Sequence, residues 1–165
     1  MANLEPLIQS IPVAPLKLAS LEGCRTLADQ VNNYLVSFRH ESPTNVGQAD
    51  SLQGYCADSY LLECECPRFG SGEGKGVLKE SVRGCDLFIM ADVTNHSLTY
   101  RLNGYENHMS PDNHYQDLKR IISAADGKAR RINVIMPFLY EGRQHKRSKR
   151  ESLDCALMLQ ELVAM

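Results

Sequence analysis

Short apolar runs alternate along this chain with segments in which apolar residues recur at helical spacing. The apolar runs predict strands at 16–20, 59–66, 77–82, 85–92 and 132–136. Helical spacing predicts helices over 24–38, 111–126 and 151–164. The second helix has the clearest bounds, because Ser110, Pro111 and Asp112 form a start signal and Gly127 a stop signal.

This order of elements predicts an α/β fold with three layers, in which helices cover both faces of a mostly parallel sheet. Residues 1–14 are interpreted as an N-terminal arm and residues 15–165 as one domain. In such sheets ligands bind beyond the carboxyl ends of the strands. The polar loops that follow strands are therefore the first places to search for a site.

Composition fits one globular domain. The chain has 165 residues, of which 43% are hydrophobic and 23% charged, and its net charge is −2. That balance excludes a wholly basic nucleic-acid-binding chain, and no apolar run is long enough to cross a bilayer. The N-terminus has no pattern of a secretion signal, so the six cysteines predict a reduced, cytoplasmic setting.

Two groups of residues raise the question of a metal. Cys64 and Cys66 would lie on one face of a strand, where buried reduced thiols are the main interpretation and a metal is the alternative. A looser group comprises Asp112, His96, His108 and His114. Neither group has the spacing of a zinc site, so we predict no metal ligands among them.

The most informative polar segment is the basic loop, residues 143–150, which reads RQHKRSKR and has five Lys or Arg in eight positions. It follows the strand at 132–136, so it should lie at the carboxyl end of the sheet. Guanidinium and ammonium groups at such a place suit a polyphosphate such as ATP. The alternatives are a solvated loop and a nucleic-acid-binding patch.

Two further segments have weaker signals. The glycine loop, residues 67–76, contains Phe69-Gly70-Ser71-Gly72-Glu73; its backbone could approach a ligand and its phenyl ring could stack on a base, although it lacks the Walker A pattern. The segment ESVRG, residues 80–84, could hold an anion through Ser81 and Arg83. Ordinary turns are the alternative for both.

Taken in order, these segments resemble the ribose-phosphate pyrophosphokinases. The family shows F-x-(D/N)-x-E, then ESVRG-x-D, then a helix opened by an Asp-Asn pair, then a proline segment ending in Arg-Gln. Here the corresponding stretches begin at Phe69, Glu80, Asp112 and Val134, and the similarity covers roughly residues 15–165. The resemblance implies the N-terminal half of such an enzyme, with a type I phosphoribosyltransferase-like fold.

The family's activity is diphosphoryl transfer from ATP to ribose 5-phosphate with Mg²⁺, which forms phosphoribosyl pyrophosphate (PRPP). The resemblance implies an ATP site composed of Phe69, Ser71, Glu73, Arg143, Gln144, Lys146 and Arg147. It implies a regulatory phosphate site at Ser81 and Arg83. It also implies a cytoplasmic homo-oligomer that binds ATP and ribose 5-phosphate, with no nucleic acid or membrane partner and with no catalytic or metal residue assigned in this half.

The sequence departs from the family at several points. Ser71 stands where the family has Asp or Asn, His145 replaces the Asp after Arg-Gln, and residues 40–58 and 94–110 look like insertions. The family's magnesium-binding and PRPP-binding segments belong to a second half, which this sequence does not contain. These differences leave an alternative function, that of a non-catalytic regulatory subunit associated with such an enzyme.

Overall fold

The computed structural model describes residues 12–41 and 54–165. Its helices are α1 (Arg25–Glu41), α2 (Pro111–Ala125) and α3 (Asp154–Ala164), and a 3₁₀ turn, Glu22–Cys24, leads into α1. Its strands are β1 (Leu16–Ser20), β2 (Leu61–Leu62), β3 (Cys64–Glu65), β4 (Val77–Leu78), β5 (Asp86–Met90), β6 (Thr99–Leu102), β7 (Tyr105–His108) and β8 (Arg131–Ile135). Most of the predicted arm 1–14 and much of the insertion 40–58 lie outside the described residues.

The main sheet has four strands in the order β2-β1-β5-β8, and all of its neighbours are parallel. β1 lies inside it, where Leu18 is paired with Leu61 on one side and with Phe88 on the other. The predicted α/β class with a mostly parallel sheet is therefore confirmed.

Side chains of the sheet alternate between two apolar layers, as the period of two in a strand requires. Leu87 and Ile89 are fully buried and belong to the larger core, together with Leu118 and Ile121 of α2. Met158 of α3 packs in the same core. On the opposite face, a smaller group joins β1 and β5 to α1 and comprises Leu18, Cys24, Ala28 and Met90. The three predicted layers are present.

Local signals explain the bounds of α2. The Ser110 hydroxyl accepts a hydrogen bond from the Asn113 N–H at 3.2 Å, and Pro111 occupies the first turn. At the other end the left-handed residue is Asp126 (φ 49°), one position before the predicted stop at Gly127 (φ 61°). An Asp tolerates that conformation better than most residues, so the helix ends there.

Three predicted elements differ from the structure. The strand at 59–66 is divided, because β2 joins the main sheet whereas β3 turns away and pairs antiparallel with β4. The strand at 77–82 is reduced to β4, and the one at 85–92 to β5. The helix at 151–164 begins only at Asp154, because the Glu151 carboxylate accepts hydrogen bonds from Ser148 in the basic loop instead of joining the helix.

The insertion at 94–110, for which no strand was predicted, folds into the antiparallel hairpin β6–β7. Asn103 (φ 51°) and Gly104 (φ 83°) form its two-residue turn, and both adopt the left-handed conformation that such turns require. The pairing of its two strands extends one step further at the base, where the Met109 N–H donates to the Leu98 carbonyl at 2.9 Å.

Candidate functional site

A groove of about 330 Å³ lies where the chain leaves the carboxyl ends of β5 and β8. We call it the β5–β8 groove. It is lined by Val93, Thr94, His96, Pro111, Phe138, Tyr140, Glu141, Gly142 and Arg143. This is the position in a parallel sheet at which ligands bind.

A tight turn after β8 carries Arg143 to the edge of this groove. The Gly142 N–H donates to the Leu139 carbonyl at 3.0 Å, and the Gln144 N–H donates to the Glu141 carbonyl at 2.9 Å. Glu141 has a φ of 55°, which is unfavourable for a residue with a side chain. Such strain is often found beside binding sites.

One wall of the groove is fixed by a pair of stacked tyrosines. The rings of Tyr115 and Tyr140 are 4.4 Å apart with an interplanar angle of 10°. The Tyr140 hydroxyl donates to Asp112 at 2.6 Å, and the Tyr115 hydroxyl donates to Glu161 at 2.8 Å. Burial, together with these carboxylates, raises the pKa of both phenols well above the usual range. Both rings therefore remain neutral hydrogen-bond donors.

The predicted ATP residues of the basic loop fall into two groups. Arg143, Lys146 and Arg147 are exposed, so their charges are accessible to a ligand. The side chain of Gln144 instead donates to the Ser152 carbonyl at 2.8 Å, and the Gln144 carbonyl accepts a hydrogen bond from the Cys155 N–H at 3.3 Å. Gln144 thus connects the loop to the start of α3.

In the glycine loop, the three predicted ATP residues lie together on one turn. The Phe69 N–H donates to the Glu73 carbonyl at 2.7 Å, and the Gly72 N–H donates to the Phe69 carbonyl at 2.9 Å. The Ser71 hydroxyl donates to the Glu73 carboxylate at 2.7 Å. The Phe69 ring is 53% exposed and accessible for stacking on a planar ligand, and the Lys75 ammonium lies 6.0 Å from its centroid.

The structure does not bring the two loops together within one chain. Phe69, Ser71 and Glu73 do not line the β5–β8 groove. Among the described residues, no hydrogen bond or ion pair joins the glycine loop to the basic loop; the nearest partners of the glycine loop are on α2 and β6.

Comparison with known proteins identifies the family of this chain. Residues 16–165 match the family model described as the N-terminal domain of ribose phosphate pyrophosphokinase. The chain belongs to this family. A search of curated proteins found no match.

A solved structure shares the fold of this pyrophosphokinase domain. The crystal structure of phosphoribosylpyrophosphate synthetase from Mycobacterium smegmatis superposes with a TM-score of 0.61 and is 24% identical in sequence. The match covers 90% of this chain and 39% of the other, so the chain spans about two fifths of that protein.

The predicted regulatory residues of the pyrophosphokinase domain lie just before β5 begins, at the end of that strand opposite the β5–β8 groove. Ser81 and Arg83 are both exposed, and the Ser81 hydroxyl accepts a hydrogen bond from the Arg83 N–H at 3.3 Å. They line a groove of about 500 Å³ that Lys128 also borders. The Lys128 ammonium is 2.7 Å from the Asp126 carboxylate.

Several of the residues considered for a metal have other partners. His108 Nδ1 lies 2.9 Å from the His96 carbonyl, and His114 Nε2 lies 2.7 Å from the Asn95 carbonyl. Burial raises the pKa of the Cys64 thiol to about 11 and that of the Cys66 thiol to about 12. Among residues 12–41 and 54–165, no group of three or more His, Cys, Asp or Glu side chains could hold a metal ion.

Sequence reasoning missed the buried ion group beneath the glycine loop. The Arg68 guanidinium binds the Asp117 carboxylate through two hydrogen bonds of 2.6 and 2.8 Å, and Arg120 adds a third of 2.6 Å. The side chains of Arg68 and Asp117 are only 8% and 7% exposed. Burial alone would lower the pKa of Arg68, but its bonds to Asp117 outweigh that effect and raise it. No motif marks these residues, since Arg68 and Asp117 are distant in sequence.

The described helices are too short or too polar to span a lipid bilayer.

Proposed function

We propose that the chain is the ATP-binding half of a ribose-phosphate diphosphokinase. The enzyme transfers diphosphate from ATP to the 1-hydroxyl of ribose 5-phosphate and forms PRPP for nucleotide biosynthesis. The observation that carries the proposal is the position of the basic loop, which is exposed beside the β5–β8 groove in a chain of this family.

The basic loop accounts for the polyphosphate. Transfer of a phosphoryl or diphosphoryl group depends mainly on positioning and on neutralising charge. Arg143 can take two phosphate oxygens with its planar fork, and Lys146 and Arg147 add positive charge along the same exposed loop. We assign these three side chains to the phosphates of ATP.

The glycine loop accounts for the base. Phe69 offers an exposed ring for stacking, and Glu73, with Ser71 held against it, offers hydrogen-bond acceptors. We propose that the glycine loop serves the nucleotide of a neighbouring copy, because the resemblance to the family implies that Phe69 and Glu73 reach the adenine site of a neighbouring subunit. The absence of contact between the two loops within one chain supports this. The proposed enzyme is accordingly a homo-oligomer. We propose that it is cytoplasmic, because its six cysteines predict a reducing setting.

Mg²⁺ enters the proposal with ATP. The described residues offer no group of three carboxylate or imidazole ligands, so this part of the chain does not fit a metal site of its own. The proposed role of this chain is to bind the nucleotide and to neutralise the charge of its phosphates. The chain spans 39% of the matched synthetase, and we propose that the ribose 5-phosphate site requires a second half, without which the domain is inactive or nearly so.

Calorimetric titration with magnesium-ATP tests the phosphate assignment. The variant Arg143→Ala/Arg147→Ala should lose binding, because each lost charge-assisted hydrogen bond costs roughly 1.5–3 kcal/mol. Arg101→Ala/Arg130→Ala is the matched control, since both arginines are exposed and the change in net charge is the same. Equal weakening by both pairs would mean that only net charge matters, and the assignment would then be wrong.

Two departures from the family favour a second function, that of a non-catalytic subunit associated with such an enzyme. Ser71 is engaged with Glu73, and His145 Nδ1 lies 3.0 Å from the Gly142 carbonyl. Neither side chain is the family's usual residue. An assay of the full-length protein for PRPP distinguishes the two functions. Formation of PRPP supports the enzymatic function. No PRPP, together with stable binding to a catalytic member of the family, supports the function of a non-catalytic subunit.

A further inference from the structure

One face of the hairpin β6–β7 lies against the glycine loop. Residues 99–102 alternate between exposed and half-buried positions, and the half-buried ones are Tyr100 and Leu102. The ring of Tyr100 lies 5.4 Å from the guanidinium carbon of Arg68. Leu102 reaches Gly72, where an added Cβ atom would lie 3.4 Å from the leucine side chain.

These two contacts act on opposite ends of the turn that presents Phe69. Arg68 precedes Phe69, forms an isolated antiparallel bridge to Gly74 and is fixed by Asp117. Gly72 closes the turn through its hydrogen bond to the Phe69 carbonyl, and its φ of 89° suits glycine alone. Tyr100 therefore supports the anchored end of the loop, and Leu102 supports its tip.

We propose that Tyr100 and Leu102 are positioning residues, which hold the glycine loop in the conformation that binds the nucleotide. This inference rests on the proposed function, which assigns Phe69 and Glu73 to the base. The insertion at 94–110 then has a role in nucleotide affinity, although its own residues do not bind the nucleotide.

The physical reason is pre-organisation. A glycine-containing loop loses much conformational freedom when it is ordered, and that loss weakens the binding of any ligand that must order the loop. The hairpin orders the loop in advance, through one aromatic contact with a cation and one aliphatic contact. Removing either contact should increase loop opening without altering a group that touches the ligand.

Amide hydrogen exchange of the chain tests the positioning directly and needs no ligand. In Tyr100→Ala and in Leu102→Ala, the amides of Phe69 and Gly72 should exchange about tenfold faster than in the unmodified chain. Tyr100→Phe keeps the ring and should retain slow exchange. Arg101→Ala is the matched control, because it alters the exposed side of the same strand. Exchange in α2, at Leu118 and Ile121, verifies that each variant is folded.

Titration with magnesium-ATP then tests the consequence for binding, with Phe69→Ala as the reference. Tyr100→Ala and Leu102→Ala should each weaken binding about three- to tenfold, and Arg101→Ala should not. Unchanged exchange at Phe69 and Gly72 in both alanine variants overturns the inference.

The two failures can be told apart. If Phe69→Ala weakens binding and the hairpin variants do not, the inference is wrong and the proposed function stands. If Phe69→Ala itself has no effect, the assignment of the glycine loop to the base is wrong, and the inference about nucleotide binding falls with it.

Discussion

The glycine loop and the basic loop are two polar segments of similar length, but they are held in opposite ways. The glycine loop is attached to the domain by Arg68 and Asp117, whose side chains are almost completely buried. The basic loop is exposed from His145 to Arg150, and its hydrogen bonds join it to the preceding turn at 141–142 and to the segment in which α3 begins.

This difference indicates two ways of contributing to one nucleotide site. A loop anchored by buried groups can present an aromatic ring in a defined orientation, at the cost of burying charge. A loop with exposed charges needs less fixed geometry, because attraction to phosphate acts over several ångströms and adapts to the ligand. The first loop should therefore respond to changes in packing, and the second to changes in charge.

The strongest test of the comparison is Asp117→Asn. This change leaves the buried Arg68 without a charged partner, and we expect the free energy of unfolding to fall by about 3–5 kcal/mol. Glu65→Gln is the control, since the ion pair of Glu65 with Lys79 is exposed to solvent and should contribute little to stability. Urea denaturation measures both. Similar small losses in the two variants would contradict the idea that burial distinguishes the glycine loop.

A smaller effect is expected from Gly76→Ala. A Cβ atom at Gly76 would overlap the backbone carbonyl of Arg120 on α2, so the base of the glycine loop must move. Such overpacking costs about 1–3 kcal/mol. Gly70→Ala at the tip is the matched control, because an added Cβ there meets nothing within 4 Å. Equal stability of the two variants in thermal unfolding would mean that the loop does not need its close approach to α2.

The smallest effect concerns the basic loop and depends on pH. The backbone N–H and the hydroxyl of Ser148 donate to Glu151 and hold the pKa of that carboxyl below its usual range. The stabilisation is thus fully present above the unfolded pKa, about 4.3, and is lost as the pH falls through the lower folded value. Glu151→Gln should be less stable than the unmodified chain at pH 6, and this difference in stability should shrink as the pH falls below about 4. Denaturant titrations across this pH range measure the difference, and a difference that does not change with pH would contradict the prediction.

Sequence patterns predicted those elements whose signals are local. β1 and β8 are short apolar strands that the pattern placed almost without error, and α2 has its cap at Ser110. The division between β2 and β3 could not be predicted, since it depends on the pairing of β3 with β4 across the glycine loop. The hairpin could have been predicted, because Asn103-Gly104 is a strong turn signal.

The candidate site shows the same division. The basic loop was located from its charges and from the strand before it, because ligands bind at the carboxyl ends of the parallel strands in such folds. Arg68 was missed because its partner Asp117 lies 49 positions away. No local pattern indicates which of many acidic residues will be buried with a given arginine.

The central place of β1 in the sheet also has a consequence for synthesis of the chain. β1 is the first of the described strands to be made, but Leu16 finds its partner Asp86 only after α1, β2, β3 and β4 have been made. Until then Leu18 and Ala19 have no neighbouring strand on the β5 side, and contacts between such distant residues form slowly. We expect the growing chain to remain without a complete sheet until β5 has left the ribosome, so this domain depends more on chaperones during translation than a helical domain of equal length.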